Sequence, residues 1–229
     1  MDYQDNHQIS QSPQYDCLLF DIDDTLYPLS SGIAAECRKN IQEYMLQKLG
    51  IEENKISEMC ALLYKAYGTT MAGLRAIGYE FDYDEFHGFV HGRLPYEKLK
   101  PDPVLRSLLL SLPHRKVHFS QLNAASELPK TQIFCKPSEA AIEKALKIAD
   151  INPQKTIFFD DNIRNILSGK DVGLHTVHVG TSHKSKGADF ALESIHNIKE
   201  ALPELWEADE KSENMTYSHK VAIETYVKA

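Results

Sequence analysis

Three short apolar runs in this sequence lead straight into residues equipped for acid–base or metal chemistry. Cys17 to Phe20 is followed by Asp21-Ile22-Asp23-Asp24-Thr25, Lys116 to Phe119 by Ser120, and Thr156 to Phe159 by Asp160-Asp161. A weaker run, Thr131 to Cys135, is followed by Lys136. In open α/β sheets, ligands bind beyond the carboxyl ends of the strands. If these runs are strands of one sheet, their terminal groups share one rim. Carboxylates gathered there repel one another unless a cation or a shared proton relieves them. Hard oxygen ligands suit Mg2+, which keeps several waters and shares its coordination shell with substrate phosphate.

Each group alone has an ordinary structural explanation. A DxD after a strand is often a turn or a helix cap, and Asp160-Asp161 can cap the helix that follows. A serine at a strand end usually bonds to backbone, and a lone lysine is usually solvated. Their joint placement after successive strands is what favours chemistry. Other candidates are weaker. His175 and His178 lie three apart on a strand, on opposite faces, and cannot share a metal. Gly180 to Gly187 lacks phosphate-loop spacing. Gly68-Thr69-Thr70 sits at a helix end and either contacts substrate or simply closes the helix.

The elements that must position these residues are legible as alternating strands and helices. The strand runs are short and rich in β-branched or aromatic residues, as in a buried parallel sheet. Ser138 can cap a helix carrying Ala141, Ile142, Ala145, Leu146 and Ala149 on one face. Ile163, Ile166 and Leu167 begin another, which Gly173 ends. Asp102-Pro103 opens a helix with Val104, Leu105, Leu108, Leu109 and Leu112. A last helix is expected from about Ser194 through Ile195, Ile198, Leu202 and Leu205. This order indicates an α/β fold, a doubly wound parallel sheet. Residues 29–99 read as a helical cap, with stripes at Ile33, Cys37, Ile41, Tyr44, Met45 and Leu49, and at Ile56, Met59, Cys60, Leu63 and Tyr67. The core is expected over 16–28 and 100–206, with a disordered 1–15 and a mobile 207–229.

The balance of charge narrows the partners. Lys and Arg number 25 against 33 Asp and Glu, a net charge of −8, which argues against a nucleic-acid surface. An anionic substrate then needs local positive charge from a cation or a placed lysine. No apolar run approaches the roughly 20 residues of a membrane span, and the polar start is unlike a secretory signal. Cys17, Cys37, Cys60 and Cys135 lie in apolar segments without CxxC spacing and read as free thiols of a reducing compartment. A cytoplasmic location, with the nucleus as an option, is expected; the oligomeric state is not specified.

FDIDDTLYP resembles the DxDxT signature of haloacid dehalogenase superfamily phosphatases. Ser120, Lys136 and Asp160-Asp161 fall where that superfamily's second, third and fourth motifs lie, and the resemblance runs from about Asp16 to Trp206. FDIDDTLYPLSSGI, YGTTMAGL, CKPS and FFDDNIRNI look like its pyrimidine 5′-nucleotidase branch, plant members especially.

The resemblance implies a Mg2+-dependent phosphatase with Asp21 as nucleophile and Asp23 as acid and base. It implies a metal held by the Asp21 carboxylate, the Asp23 carbonyl and Asp161, with Asp160 in support. Ser120 and Lys136 are expected to bind the phosphoryl group, and Asp24 and Thr25 to fix the loop. The implied substrate is a small phosphorylated metabolite, a nucleoside monophosphate first. In one respect the chain departs from the pattern. The family places a helix and a strand between the second-motif residue and the lysine, and here only Gln121 to Cys135 intervenes. Gln121 also stands where Asn is usual. A shortened variant follows, and with it a rival expectation: an impaired protein that binds Mg2+ or a partner without efficient turnover.

Overall fold

The computed structural model describes residues 14–118 and 134–207. Its strands are β1 (Cys17–Phe20), β2 (Arg115–His118), β3 (Thr156–Asp160), β4 (His175–Val179) and β5 (Phe190–Leu192). Between β1 and β2 come α1 (Ile33–Gln47), α2 (Glu53–Tyr67), α3 (Thr70–Ala76), α4 (Tyr83–Val90) and α5 (Pro103–Ser111). After β2 follow α6 (Glu139–Ile148), α7 (Ile163–Asp171), α8 (Ile198–Ala201) and α9 (Glu204–Glu207). The strands form one parallel sheet in the order β2-β1-β3-β4-β5. The doubly wound α/β class read from the sequence is the observed one.

Alternation along the strands builds two cores, because successive side chains face opposite sides of a sheet. Leu18, Phe20, Ile157, Phe159, Val177 and Val179 pack with Leu105, Leu112, Ile195, Ile198 and Leu202 on one face. Leu19 and Phe158 pack with Ile142, Leu146, Ile166 and Leu174 on the other. Each such side chain, fully buried, contributes about 1.5–3 kcal/mol. The central strands are therefore pinned in register from both sides. Among the described residues β2 is the outermost strand, and its residues are mostly exposed.

The helical region α1–α4 has its own apolar interior. Met45, Ile51, Ile56, Cys60, Leu63 and Leu74 form one cluster, and Tyr44, Met71, Phe86 and Val90 another. Of the expected stripes, α1 buries Ile33, Tyr44 and Met45 and α2 buries Ile56, Cys60 and Leu63. Leu49 follows α1, Tyr67 is 43% exposed, and Gly68 closes α2 with φ +86°.

Several expectations need correction. Tyr15, assigned to a disordered N-terminus, is 3% exposed and meets His175 edge-on at 5.0 Å. Ser138 precedes α6, but its side chain makes no capping hydrogen bond; its carbonyl instead accepts from Ala141 and Ile142. The single final helix is a 3-10 turn at Ile195–Asn197 followed by α8 and α9, because Pro203 cannot continue α8. Phe134 and Cys135 belong to no strand. Ser120, most of the segment from Gln121 to Cys135, residues 1–13 and the tail beyond 207 lie outside the described residues.

Candidate active site

The sheet order itself selects the site. β1 lies between β2 and β3, so the chain leaves β1 toward one edge and then crosses to its other side. That reversal opens a crevice at the carboxyl ends of β1 and β3. Asp21 follows β1 directly and is fixed by its amide, which donates to the Phe159 carbonyl at 2.9 Å. Asp160 ends β3 at 0% exposure, and Asp161 follows it. Oxygens of Asp21, Asp160 and Asp161 all lie within 4.8 Å of one another. Hard, charged oxygen donors at this spacing suit a divalent cation such as Mg2+.

Lys136 enters from the loop before α6 and ties the two strand ends together. Its Nζ donates to Asp21 Oδ1 at 2.5 Å and to Asp160 Oδ2 at 2.8 Å. Asp160 is further satisfied by the Asn162 amide at 2.9 Å and by Asn165 Nδ2 at 3.0 and 3.1 Å. With its lone pairs so occupied, Asp160 supports the cluster from behind, while Asp21 and Asp161 line the open cleft.

Electrostatics follow from this crowding. Burial, and then the neighbouring carboxylates Asp160 and Asp23, push Asp21 up to about 6 against the pull of Lys136. Burial raises Asp161 further, to about 7, with Asp160, Asp21 and Asp24 adding to it. Burial works against the charge of Lys136, yet Asp160 and Asp21 outweigh it and hold the ammonium protonated. The cluster is short of positive charge, which a bound cation would supply.

Asp23 stands apart from that cluster. Its side chain is exposed, and Oδ1 accepts a hydrogen bond from Tyr27 Oη at 2.5 Å. Asp24 sits at φ 57°, the bend that turns the loop, and Thr25 Oγ1 donates to Asp21 Oδ2 at 3.3 Å. Both thus serve the loop geometry expected of them. His178 has a role that its sequence position did not suggest. Its Nε2 meets the Asp161 carbonyl at 2.8 Å and its Nδ1 meets Ser185 at 2.7 Å, so it steadies the Asp161 backbone.

The helical region closes over these groups to leave a cleft of about 1020 Å3. Tyr27, Tyr64 and Tyr96, the imidazoles of His87 and His91, and Arg38 contribute to its wall. His87 and His91 meet Nδ1 to Nδ1 at 3.0 Å, and burial, then His87, lowers the His91 pKa. Gly68, Thr69 and Thr70 line the cleft too, while Thr69 also caps α3 through Ala72.

The end of α2 is clasped by the loops that carry the site. Arg164 donates to the Tyr64 and Lys65 carbonyls at 3.3 and 2.8 Å, and Asn162 Nδ2 donates to Tyr64 Oη at 2.8 Å. A β-carbon on Gly68 would run into the Lys136 carbonyl oxygen and lie 2.9 Å from Pro137 Cδ, at a φ that non-glycine residues rarely adopt. Gly68→Ala is therefore expected to loosen this clasp, lowering the melting temperature by several degrees and raising KM more than it lowers kcat. A thermal melt and steady-state kinetics check it.

No protein-family model matches the chain. Phosphate metabolism protein 8 of Saccharomyces cerevisiae is 23% identical over 265 residues, covering 91% of this chain and 83% of the yeast protein. That span exceeds the 229 residues available here, so this chain is gapped against its relative. Among solved structures, CbbY from Rhodobacter sphaeroides in complex with phosphate superimposes with a TM-score of 0.54 at 18% identity, covering 83% of this chain and 99% of CbbY. The 2-haloacid dehalogenase from Pseudomonas syringae pv. Tomato DC3000 gives 0.50 at 16% identity, covering 82% and 98%. The fold of this chain is that of the haloacid dehalogenase-like hydrolases.

Proposed function

We propose that this chain is a Mg2+-dependent phosphomonoester hydrolase working through an aspartyl-phosphate, with a nucleoside monophosphate as its first-choice substrate. The observation that carries the reading is Asp21 at the switch point of the sheet, bonded to Lys136 and grouped with Asp160 and Asp161. Asp21 attacks phosphorus in line, and Asp23 delivers a proton to the leaving oxygen. Asp23 then takes a proton from the water that attacks the intermediate. Lys136 holds Asp21 in place and offsets charge on the phosphoryl oxygens, a role that Ser120 shares through its hydroxyl. The Asp21 and Asp161 carboxylates and the Asp23 carbonyl would hold Mg2+, with Asp160 in support. The ion, when bound, lowers the repulsion between an anionic nucleophile and an anionic phosphate.

Three tyrosines and two imidazoles in the wall offer stacking surfaces and hydrogen-bonding groups that suit a nucleoside, with the helical region acting as the cap that selects it. The phosphate bound to CbbY and the yeast relative's place in phosphate metabolism agree with a phosphate substrate. A dehalogenase on the same fold is disfavoured, since cleavage of a carbon–halogen bond has no use for the acid that Asp23 provides.

Chelation followed by metal addition tests the reading on two counts. EDTA is expected to stop phosphate release and Mg2+ to restore it. Saturating Mg2+ should also raise the melting temperature, since a ligand at 100 times its Kd stabilises by about 2.7 kcal/mol. Full activity after exhaustive chelation would refute the metal's role. A screen across phosphorylated metabolites identifies the substrate, and a sugar phosphate outperforming every nucleotide would move the assignment away from the nucleotidase branch.

A further inference from the structure

The loop after β1 holds its two functional carboxylates by one repeated device. Leu26 N donates to the Ile22 carbonyl at 2.9 Å, closing a tight turn through Asp24 at φ 57°, and the chain folds back so that side chains four apart meet. Thr25 thereby reaches Asp21 Oδ2 at 3.3 Å, and Tyr27 reaches Asp23 Oδ1 at 2.5 Å. The two carboxylates differ in how much else fixes them. Asp21 also bonds Lys136 and is 15% exposed, whereas the Asp23 side chain is exposed to the cleft. At 2.5 Å the Tyr27 hydroxyl sits at the short end of O–H···O hydrogen bonds and ties one Asp23 oxygen closely.

We propose that Tyr27 is a positioning residue, whose hydroxyl holds Asp23 by one oxygen so that the other faces the ester oxygen of the substrate. This deepens the reading of Asp23 as the acid and rests on it. In the first step, an Asp21 oxygen bonds to phosphorus as the ester P–O bond breaks, and the Asp23 proton moves to the departing oxygen. The products are an alcohol and the aspartyl-phosphate. In the second, a water oxygen bonds to phosphorus, its proton passes to Asp23, and the Asp21 carboxylate departs. Both transfers need one Asp23 oxygen at one place. An unheld carboxylate spreads over its rotamers, and a displacement of about 1 Å costs on the order of a hundredfold in rate.

Tyr27→Phe removes only the hydroxyl and separates this role from general packing. The probes are a nucleoside monophosphate, whose alcohol must be protonated to leave, and p-nitrophenyl phosphate, whose nitrophenolate leaves without a proton. The kcat/KM of Tyr27→Phe is expected to fall at least about tenfold more on the nucleotide than on the aryl ester. Asp23→Asn should show the same preference more strongly, and the double variant should be no worse than Asp23→Asn alone. Equal losses on both esters, or losses that multiply in the double variant, would overturn the role of Tyr27 while leaving Asp23 as the acid. If Asp23→Asn does not discriminate between the esters, the acid assignment fails and this inference fails with it.

Discussion

Asp21→Asn is expected to lower phosphate release by more than about a thousandfold while leaving the melting temperature unchanged or higher. An amide nitrogen cannot form the acyl-phosphate, and the loss of a nucleophile is not made good by the remaining groups of the site. Stability should hold because burial already disfavours a charge at Asp21, pushing it up to about 6. Neutralising it relieves Asp160 and Asp161, and the amide oxygen still accepts from Lys136. Residual activity above about a tenth of the parent, in a variant with an unaltered melt, would remove Asp21 from its role.

Lys136→Met is expected to damage stability and activity together. The ammonium bonds Asp21 and Asp160 at once, and its side chain is only 15% exposed. Removing one member of such a buried arrangement leaves uncompensated charge, which costs about 3–5 kcal/mol. For a domain of this size that corresponds to a melting temperature lower by about 10 °C. Asp160 keeps the Asn162 and Asn165 donors, so the strand end should survive, whereas Asp21 loses its strongest anchor. Turnover should fall by at least about a hundredfold. Circular dichroism melts and phosphate-release assays on the purified variant check both effects, and a variant as stable and active as the parent would contradict the arrangement.

Much of the fold was legible because its central strands are buried on both faces. Cys17 to Phe20, Thr156 to Phe159 and His175 to Val179 read as strands since they are continuous apolar or β-branched runs of the right length. β5 was missed because Phe190–Leu192 is three residues long, too short for any periodicity. α3 was not separated from its neighbours because Thr70 to Leu74 are all buried, so no stripe marks a face. Tyr15 read as tail because a single aromatic in a polar stretch carries no pattern, although it packs into the core.

The site was legible where strands run into charge, at Asp21 and at Asp160-Asp161, and less so where backbone geometry decides. Nothing in the sequence spacing shows that Lys136 reaches two carboxylates, nor that Asn165 returns to Asp160 from within α7. Nor does the sequence show that Tyr27 reaches Asp23, because the two meet only through the tight turn that Asp24 makes at φ 57°. Tyr64, His87, His91 and Tyr96 come from separate parts of the helical region, and only folding brings them to one cleft.

Trapping the intermediate tests the central claim most directly. The enzyme with Mg2+ is mixed with a labelled phosphate monoester and quenched in acid during turnover. It is then reduced with borohydride, which converts an aspartyl-phosphate to homoserine. The account predicts label on the enzyme before reduction and homoserine at position 21 after it, both lost in Asp21→Asn and without metal. Phosphate release with no covalent label, or label at another residue, would contradict it. No release and no label under saturating substrate would favour instead the impaired variant that the short span between Ser120 and Lys136 suggests.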